Sequence, residues 1–287
     1  MTLPKMHEIL GILFSEDECI EFLIREEIVE TLSICSACGG AVSRYSKRWE
    51  CTRYSCKKVV SIFKNTFFAG SRIKCNEIMH MGYLWLTGCS AKTIAMHTGH
   101  SEHTISDYLG FFRQLTCNMI EDDEVVIGGQ NIVVQVDETK MGKIKYHRGH
   151  RVEGAWVIVG VEKTESRRVF AEVVEDRSEG TIVEVLSRHI CEGSILWTDK
   201  WKGYHNLSRI FNIQHETVNH SLTFKDPVTG VNTNTVEGTN FALKRAVPPR
   251  NRTRKTLPSF LSEFVWRRKC TDTLWESFIG ALKETLY

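Results

Sequence analysis

The chain has 287 residues, 42% hydrophobic and 25% charged, with five prolines, no low-complexity tract and a net charge of +2. That length suggests about two domains with a real core, and the few prolines and lack of low complexity argue against a long disordered part. Charges interrupt the apolar runs short of the ~20 residues a membrane span needs. MTLPKMHEIL also lacks a signal peptide's basic-then-apolar order, so an intracellular protein is expected, nuclear if eukaryotic and cytoplasmic if bacterial. Ten cysteines in that setting point to metal or buried thiols rather than disulfides.

Residues 1–33 read as one or two acidic helices, with Ile20, Phe22, Leu23 and Ile28 between the acids. The first thirty residues hold two basic against eight acidic side chains, a net of −6, which leaves +8 for the rest. Residues 34–68 form a cysteine module. Cys35-Ser-Ala-Cys38 is followed by Gly39-Gly40 and then by Cys51 and Cys56. Two cysteine pairs about a dozen residues apart, with glycines for a tight knuckle, suit a four-thiolate zinc site. The competing reading is four cysteines packed as small hydrophobes.

Residues 69–120 read as a helix-turn-helix-like unit. Ile78, Met81 and Trp85 share one helical face, and a second helix over Ala91–Thr98 closes at Gly99. Ser101 caps a third helix, in which Ile105, Leu109 and Phe112 recur at i, i+4 and i+7. The last helix could read DNA, or the three could simply pack. Residues 121–130, with Gly128-Gly129, read as a linker. From 131 to 287 the pattern is mixed α/β. Strands are predicted at 131–136, 155–161, 169–174, 194–198 and 213–218, and helices at about 179–191, 236–246 and 257–284. Three strands, a helix, a strand and further helices is the order of a ribonuclease-H-like fold.

Two of these strands end on acids. Val133-Val134-Gln135-Val136 runs into Asp137 and Glu138, and Ile195-Leu196-Trp197-Thr198 runs into Asp199. A third acid, Glu237, opens a helical segment that carries Lys244 two turns on, on the same face. Carboxylates are hard oxygen ligands suited to Mg²⁺ or Mn²⁺. Two such ions about 4 Å apart support phosphodiester displacement. Each acid alone reads as a surface group; the three together, beside a cysteine module and a basic tail, read as a metal-dependent nuclease site. Glu138 should face away from Asp137, because successive strand residues alternate. The tail over 244–269 sets nine basic residues against Glu263 alone, which suits a polyanion.

The sequence resembles the DDE transposases of the Merlin superfamily and the related bacterial insertion-sequence transposases. The likeness covers about residues 34–270. It is carried by the cysteine module, Val136-Asp137-Glu138-Thr139, Trp197-Thr198-Asp199 with Tyr204, Val218-Asn219-His220, Thr233-Asn234-Thr235-Val236-Glu237-Gly238 with Lys244, and Glu263-Phe264-Val265-Trp266-Arg267. The resemblance implies that Asp137, Asp199 and Glu237 are the catalytic acids, with Thr233-Asn234 as the pair before the glutamate. Many relatives have His where this chain has Asn232.

DNA contacts are expected around these acids. Lys140, Lys143, Lys145, Arg148 and Arg151 follow Asp137 in a stretch with two His and no acid, suited to grasping a strand. Lys200, Trp201 and Lys202 follow Asp199, and Asn234, Lys244 and Arg245 surround Glu237. Trp201 could stack on a base or pack under the site. Packing is preferred for Tyr204. His220 could touch DNA or a catalytic group, or be a hydrogen-bonded structural histidine.

The expected protein is therefore a DNA transposase. It would bind the terminal inverted repeats of a mobile element, cut phosphodiester bonds and join 3′-hydroxyl ends to target DNA. It would use two Mg²⁺ or Mn²⁺, a structural Zn²⁺ on Cys35, Cys38, Cys51 and Cys56, and a homodimer or higher homo-oligomer. The rival readings are a catalytically silent, host-recruited DNA-binding regulator, a nuclease of the same fold that cuts without joining, and an RNA-directed ribonuclease H.

Overall fold

The structure, a computed structural model, describes residues 3–120, 126–142, 154–211, 213–218, 226–227 and 229–285. It divides into two compact units: Met1–Thr116 with Cys270–Tyr287, and Cys117–Lys269.

The first unit opens with α1 (Leu10–Phe14) and α2 (Glu16–Arg25). Ser15 caps α2 by accepting from the Glu18 N–H at 3.3 Å. Glu16, Asp17 and Glu18 fill its first turn, where the helix dipole favours negative charge. Part of the acidic bias of residues 1–33 is thus helix-end chemistry. Next comes a three-stranded antiparallel sheet of β1 (Val42–Tyr45), β2 (Arg48–Cys51) and β3 (Val59–Ser61). Helices α3 (Cys75–Leu86), α4 (Ala91–Thr98) and α5 (Glu102–Cys117) follow at the expected places. Ser90 and Ser101 cap α4 and α5 through the N–H groups of Thr93 and Thr104, each at 3.1 Å. Gly99 ends α4 at φ +75°, a backbone that favours glycine.

The last helix differs from expectation. Residues 270–287 were expected to extend the α/β domain, yet α10 (Leu274–Glu284) belongs to the first unit. It buries Leu274, Trp275, Phe278, Ile279 and Leu282. Phe278 meets Phe112 edge-on, with centroids 5.4 Å apart, and lies 6.1 Å from Trp85. An amphipathic helix goes to the apolar surface that covers it, and here that surface is made by α3 and α5.

The second unit is built on a five-stranded mixed sheet. Its strands are β5 (Val133–Met141), β6 (Ala155–Glu162), β7 (Val169–Val174), β9 (Ile195–Asp199) and β10 (Gln214–Val218), in the order β10-β9-β5-β6-β7. Strands β5, β6 and β7 form an antiparallel meander, whereas β9 runs parallel to β5 and β10 parallel to β9. One face packs Val134, Val136, Ile158, Phe170 and Leu196 against Ile182, Val185 and Leu186 of α6 (Glu179–His189) and against Leu207 of α7 (Leu207–Phe211). The other packs Val157, Val159, Val161 and Val169 against Val236 and Leu243 of α8 (Asn234–Ala246) and Leu257, Leu261 and Phe264 of α9 (Leu257–Lys269). Burial on both faces explains why these strands read as apolar runs rather than strict alternation. Gly160 makes room on β6 for its register partner: a Cβ there would lie 2.1 Å from the Phe170 ring.

Two boundaries are corrected. The linker expected over 121–130 is in part folded: β4 (Ile127–Gly128) pairs parallel with β8 (Ile190–Cys191). The buried Glu162 carboxylate accepts from the Gly128 N–H at 2.7 Å. The first strand, expected to stop at 136, runs on to Met141. Its pairing with β6 continues from Asp137↔Val159 to Met141↔Ala155, so its backbone groups stay satisfied beyond the acid.

Candidate active site

Asp137 and Asp199 are placed by strand register. The parallel pairing of β5 with β9 ends at Gln135↔Trp197. Two residues further along each strand stand Asp137 and Asp199, level with each other and on one sheet face. Asp137 is therefore not at a strand end. It lies where β5 has lost its ladder pairing to β9 and keeps its pairing to β6.

The third acid reaches that face on α8. Gln135, fully buried on β5, accepts from the N–H groups of Thr235 (2.9 Å) and Val236 (3.1 Å) in the helix's first turn. A strand residue thus satisfies two orphan donors of the helix and fixes its N-terminus over the sheet. Asn232, in the position of the relatives' His, accepts from the Asn234 N–H at 3.3 Å and donates to the Gly230 carbonyl at 3.0 Å. Here the Asn shapes the approach to α8. Thr233 donates to Glu237 Oε1 at 2.7 Å, and Asn240 donates to Asp137 Oδ2 at 2.8 Å. Trp201 N–H donates to Asp199 Oδ1 at 2.9 Å.

The electrostatics follow from this crowding. Burial first, and then the negative charges of Asp199 and Glu237, push the Asp137 carboxyl up to about 6. Among the described residues, only Cys35, Cys38, Cys51 and Cys56 bring three or more ligand atoms within 4.8 Å of one another, so the three carboxylates do not form one tight coordination sphere. Three acids close enough for two of them to raise the third, Asp137, while standing apart fit cations placed between them, as hard oxygen donors for a divalent ion.

Glu138 does face the opposite way. It is half-buried beside Tyr204, and burial pushes its carboxyl up to about 7. Tyr204 is fully buried, as packing required. Trp201 packs against the same core, and the Arg177 guanidinium lies 4.1 Å from its ring centroid. The reading of Trp201 as an open stacking platform is corrected to packing. Lys140 belongs to β5, not to a loop. It alternates with Glu138 onto the face away from Asp137, 5.2 Å over Trp156, so its expected place beside the acids is corrected as well. Lys200 and Lys202 are exposed on either side of Trp201, and Asn234 and Arg245 are exposed on α8 with Lys244 half-buried. Lys143, Lys145, Arg148, Arg151 and His220 lie outside the described residues.

In the first unit the four cysteines form a cluster. Cys35 and Cys56 sulfurs are 3.8 Å apart, and Cys38 and Cys51 are 3.5 Å apart. Four thiolates at about 2.3 Å from a tetrahedral zinc are roughly 3.8 Å from each other, so the cluster is compatible with structural zinc. The Ala37 N–H lowers the Cys35 thiol to about 6, whereas Cys51, although the Arg53 N–H lowers it, is pushed up to about 12 by burial and the neighbouring thiols, so the four do not ionise together without a cation.

Residues 117–269, the unit that carries the three acids, match the ISXO2-like transposase domain family. The chain belongs to this family. The match covers more than half of the chain and supports an insertion-sequence type of DDE transposase. No curated protein matches the chain. Sequence reading did not single out two residues of this transposase domain, Gln135 and Asn240. Both reach partners about a hundred positions away, and an isolated Gln in an apolar strand is the one local hint.

Proposed function

We propose that the protein is a DNA transposase whose ribonuclease-H-like domain cuts the ends of a mobile element and joins them to target DNA. One observation carries this reading. In the unit matching the transposase family, Asp137 and Asp199 stand level on adjacent parallel strands, and α8 brings Glu237 to the same face. The strand order, a three-strand meander extended by two parallel strands, supports the fold assignment.

Asp137, Asp199 and Glu237 would hold two Mg²⁺ or Mn²⁺, which when bound supply Lewis-acid polarisation of the attacking and leaving oxygens. The protein's part is orientation. Asn240 fixes one Asp137 oxygen. The Trp201 backbone N–H holds an Asp199 oxygen, and Thr233 holds a Glu237 oxygen. Water would attack the phosphodiester first and release a 3′-hydroxyl. That hydroxyl would then attack a target phosphodiester and displace its 3′ oxygen. The exposed Lys200, Lys202 and Arg245 offer point charges to the phosphates. The cysteine cluster would bind zinc, and α3–α5 would read the element's ends. Two ends must be handled together, so a homodimer or larger assembly is proposed.

The test is divalent-metal-dependent cleavage and joining of a labelled duplex carrying the DNA that borders the coding sequence. Wild type should give joined product, and Asp137→Asn, Asp199→Asn and Glu237→Gln none. Specific binding without cleavage, even in Mn²⁺, would replace this reading with a DNA-binding regulator. Cleavage without joining would make it an endonuclease.

A further inference from the structure

Helix α8 has two faces. Val236, Thr239, Asn240 and Leu243 are buried against the sheet. Asn234, Glu237, Gly238, Phe241 and Arg245 are exposed, and their spacing makes one continuous stripe. Two residues of that stripe have no structural explanation. Phe241 is 64% exposed, although its helix has an apolar face available to bury such a ring. Gly238 sits inside the helix, where glycine is weaker than alanine, yet a Cβ there would meet nothing within 4 Å. No packing requires the glycine, and no turn uses it.

Both peculiarities fall within one turn of Glu237, about 6 Å along the axis. An exposed ring costs nothing once a flat apolar partner covers it. A missing Cβ matters where another backbone passes close. The surroundings are cationic: the Arg245 guanidinium lies 5.9 Å from the Phe241 centroid, and Lys244 precedes it in the last turn.

We propose that the DNA strand cut at this site crosses α8 at Gly238, and that Phe241 stacks on the base next to the cleaved phosphate. This rests on the transposase reading for the identity of the strand. Glu237 would face the phosphate, Gly238 would let the sugar-phosphate backbone lie against the helix, and Phe241 would hold the neighbouring base by its face. Base–aromatic stacking tolerates any base, so the contact sets register rather than sequence. Arg245 would back the ring and meet the next phosphate.

The experiment uses the full chain and the bordering-DNA duplex with 2-aminopurine beside the cleaved phosphate, bound in Ca²⁺. Wild type should quench the 2-aminopurine emission. Phe241→Ala should lose the quench and weaken binding by about tenfold or more, and Phe241→Trp should restore both. Gly238→Ala should weaken binding while its melting temperature stays equal or rises by about 1–3 °C. Quenching and affinity within twofold of wild type in Phe241→Ala would overturn the proposal, as would binding of wild type without any quench. The two readings separate cleanly. Cutting and joining with a quench indifferent to Phe241 sinks this inference alone. A Phe241-dependent quench with no cutting in Mg²⁺ or Mn²⁺ sinks the transposase reading and leaves Phe241 stacking on a base of a strand that is bound but not cut.

Discussion

Replacing Gln135 by methionine should damage the second unit far more than a conservative swap in a strand normally does. Methionine matches glutamine in length and volume, so little cavity or overpacking is introduced. What is lost is the acceptor for two backbone donors. The Val236 N–H is buried and the Thr235 N–H half-buried, at 3.1 and 2.9 Å from Gln135 Oε1. A buried donor without a partner costs about 1–3 kcal/mol, and a half-buried one less because water reaches it. The total is about 2–4 kcal/mol. A domain of this size loses about 2–4 °C of melting temperature per kcal/mol, so a drop of about 5–10 °C is expected in a thermal melt. Because these donors open the helix that carries Glu237, metal-dependent cleavage should fall more than tenfold at temperatures where Gln135→Met is still folded. If the variant melts within about 1 °C of wild type, the helix start is satisfied some other way and the argument fails.

Three further outcomes follow from the structure. Burial raises the Glu138 carboxyl from 4.5 to about 7. Its favourable contribution is therefore complete below pH 4.5 and disappears as pH rises through about 7. Linkage makes the loss about 3 kcal/mol, so without added divalent metal, stability should fall from pH 5 to 8 and Glu138→Gln should flatten the slope. An unchanged slope in that variant rules the cause out. Gly160→Ala places a Cβ 2.1 Å from the buried Phe170 ring and should cost about 3 kcal/mol. Adding Phe170→Leu should recover part of that in a double-mutant cycle, and strict additivity would mean the two residues do not meet. Purified protein should carry one zinc per chain, and a chelator or Cys51→Ser should open residues 34–68 to protease; zinc-free protein that resists protease would show the thiols are plain packing.

Local chemistry made most of the elements legible. Ser90, Ser101 and Gly99 fix the ends of α4 and α5 by bonds within four residues of themselves. The CxxC spacing and its glycines make the thiol cluster a nearly local event. Asp137 and Asp199 could be picked out because an acid after a buried run is conspicuous in any fold. The strand's true end at Met141 was not legible, because a strand stops where its hydrogen-bonding neighbour stops, and that neighbour, β6, was not visible in the side chains of β5. The destination of α10 was hidden for a similar reason: its apolar face specified burial but not which surface would provide it.

The sequence by itself marked most of the longer helices and the main strands of the α/β sheet, the cysteine spacing, and the three acids as candidates. Tertiary structure alone decided how the acids meet. Register between β5 and β9 sets Asp137 level with Asp199, and Gln135 and Asn240 seat α8 on the same face, across separations of about a hundred residues. Propensity and capping act over one or two turns of chain. Hydrogen bonds between distant segments form only where the closed core has already brought their atoms within about 3 Å.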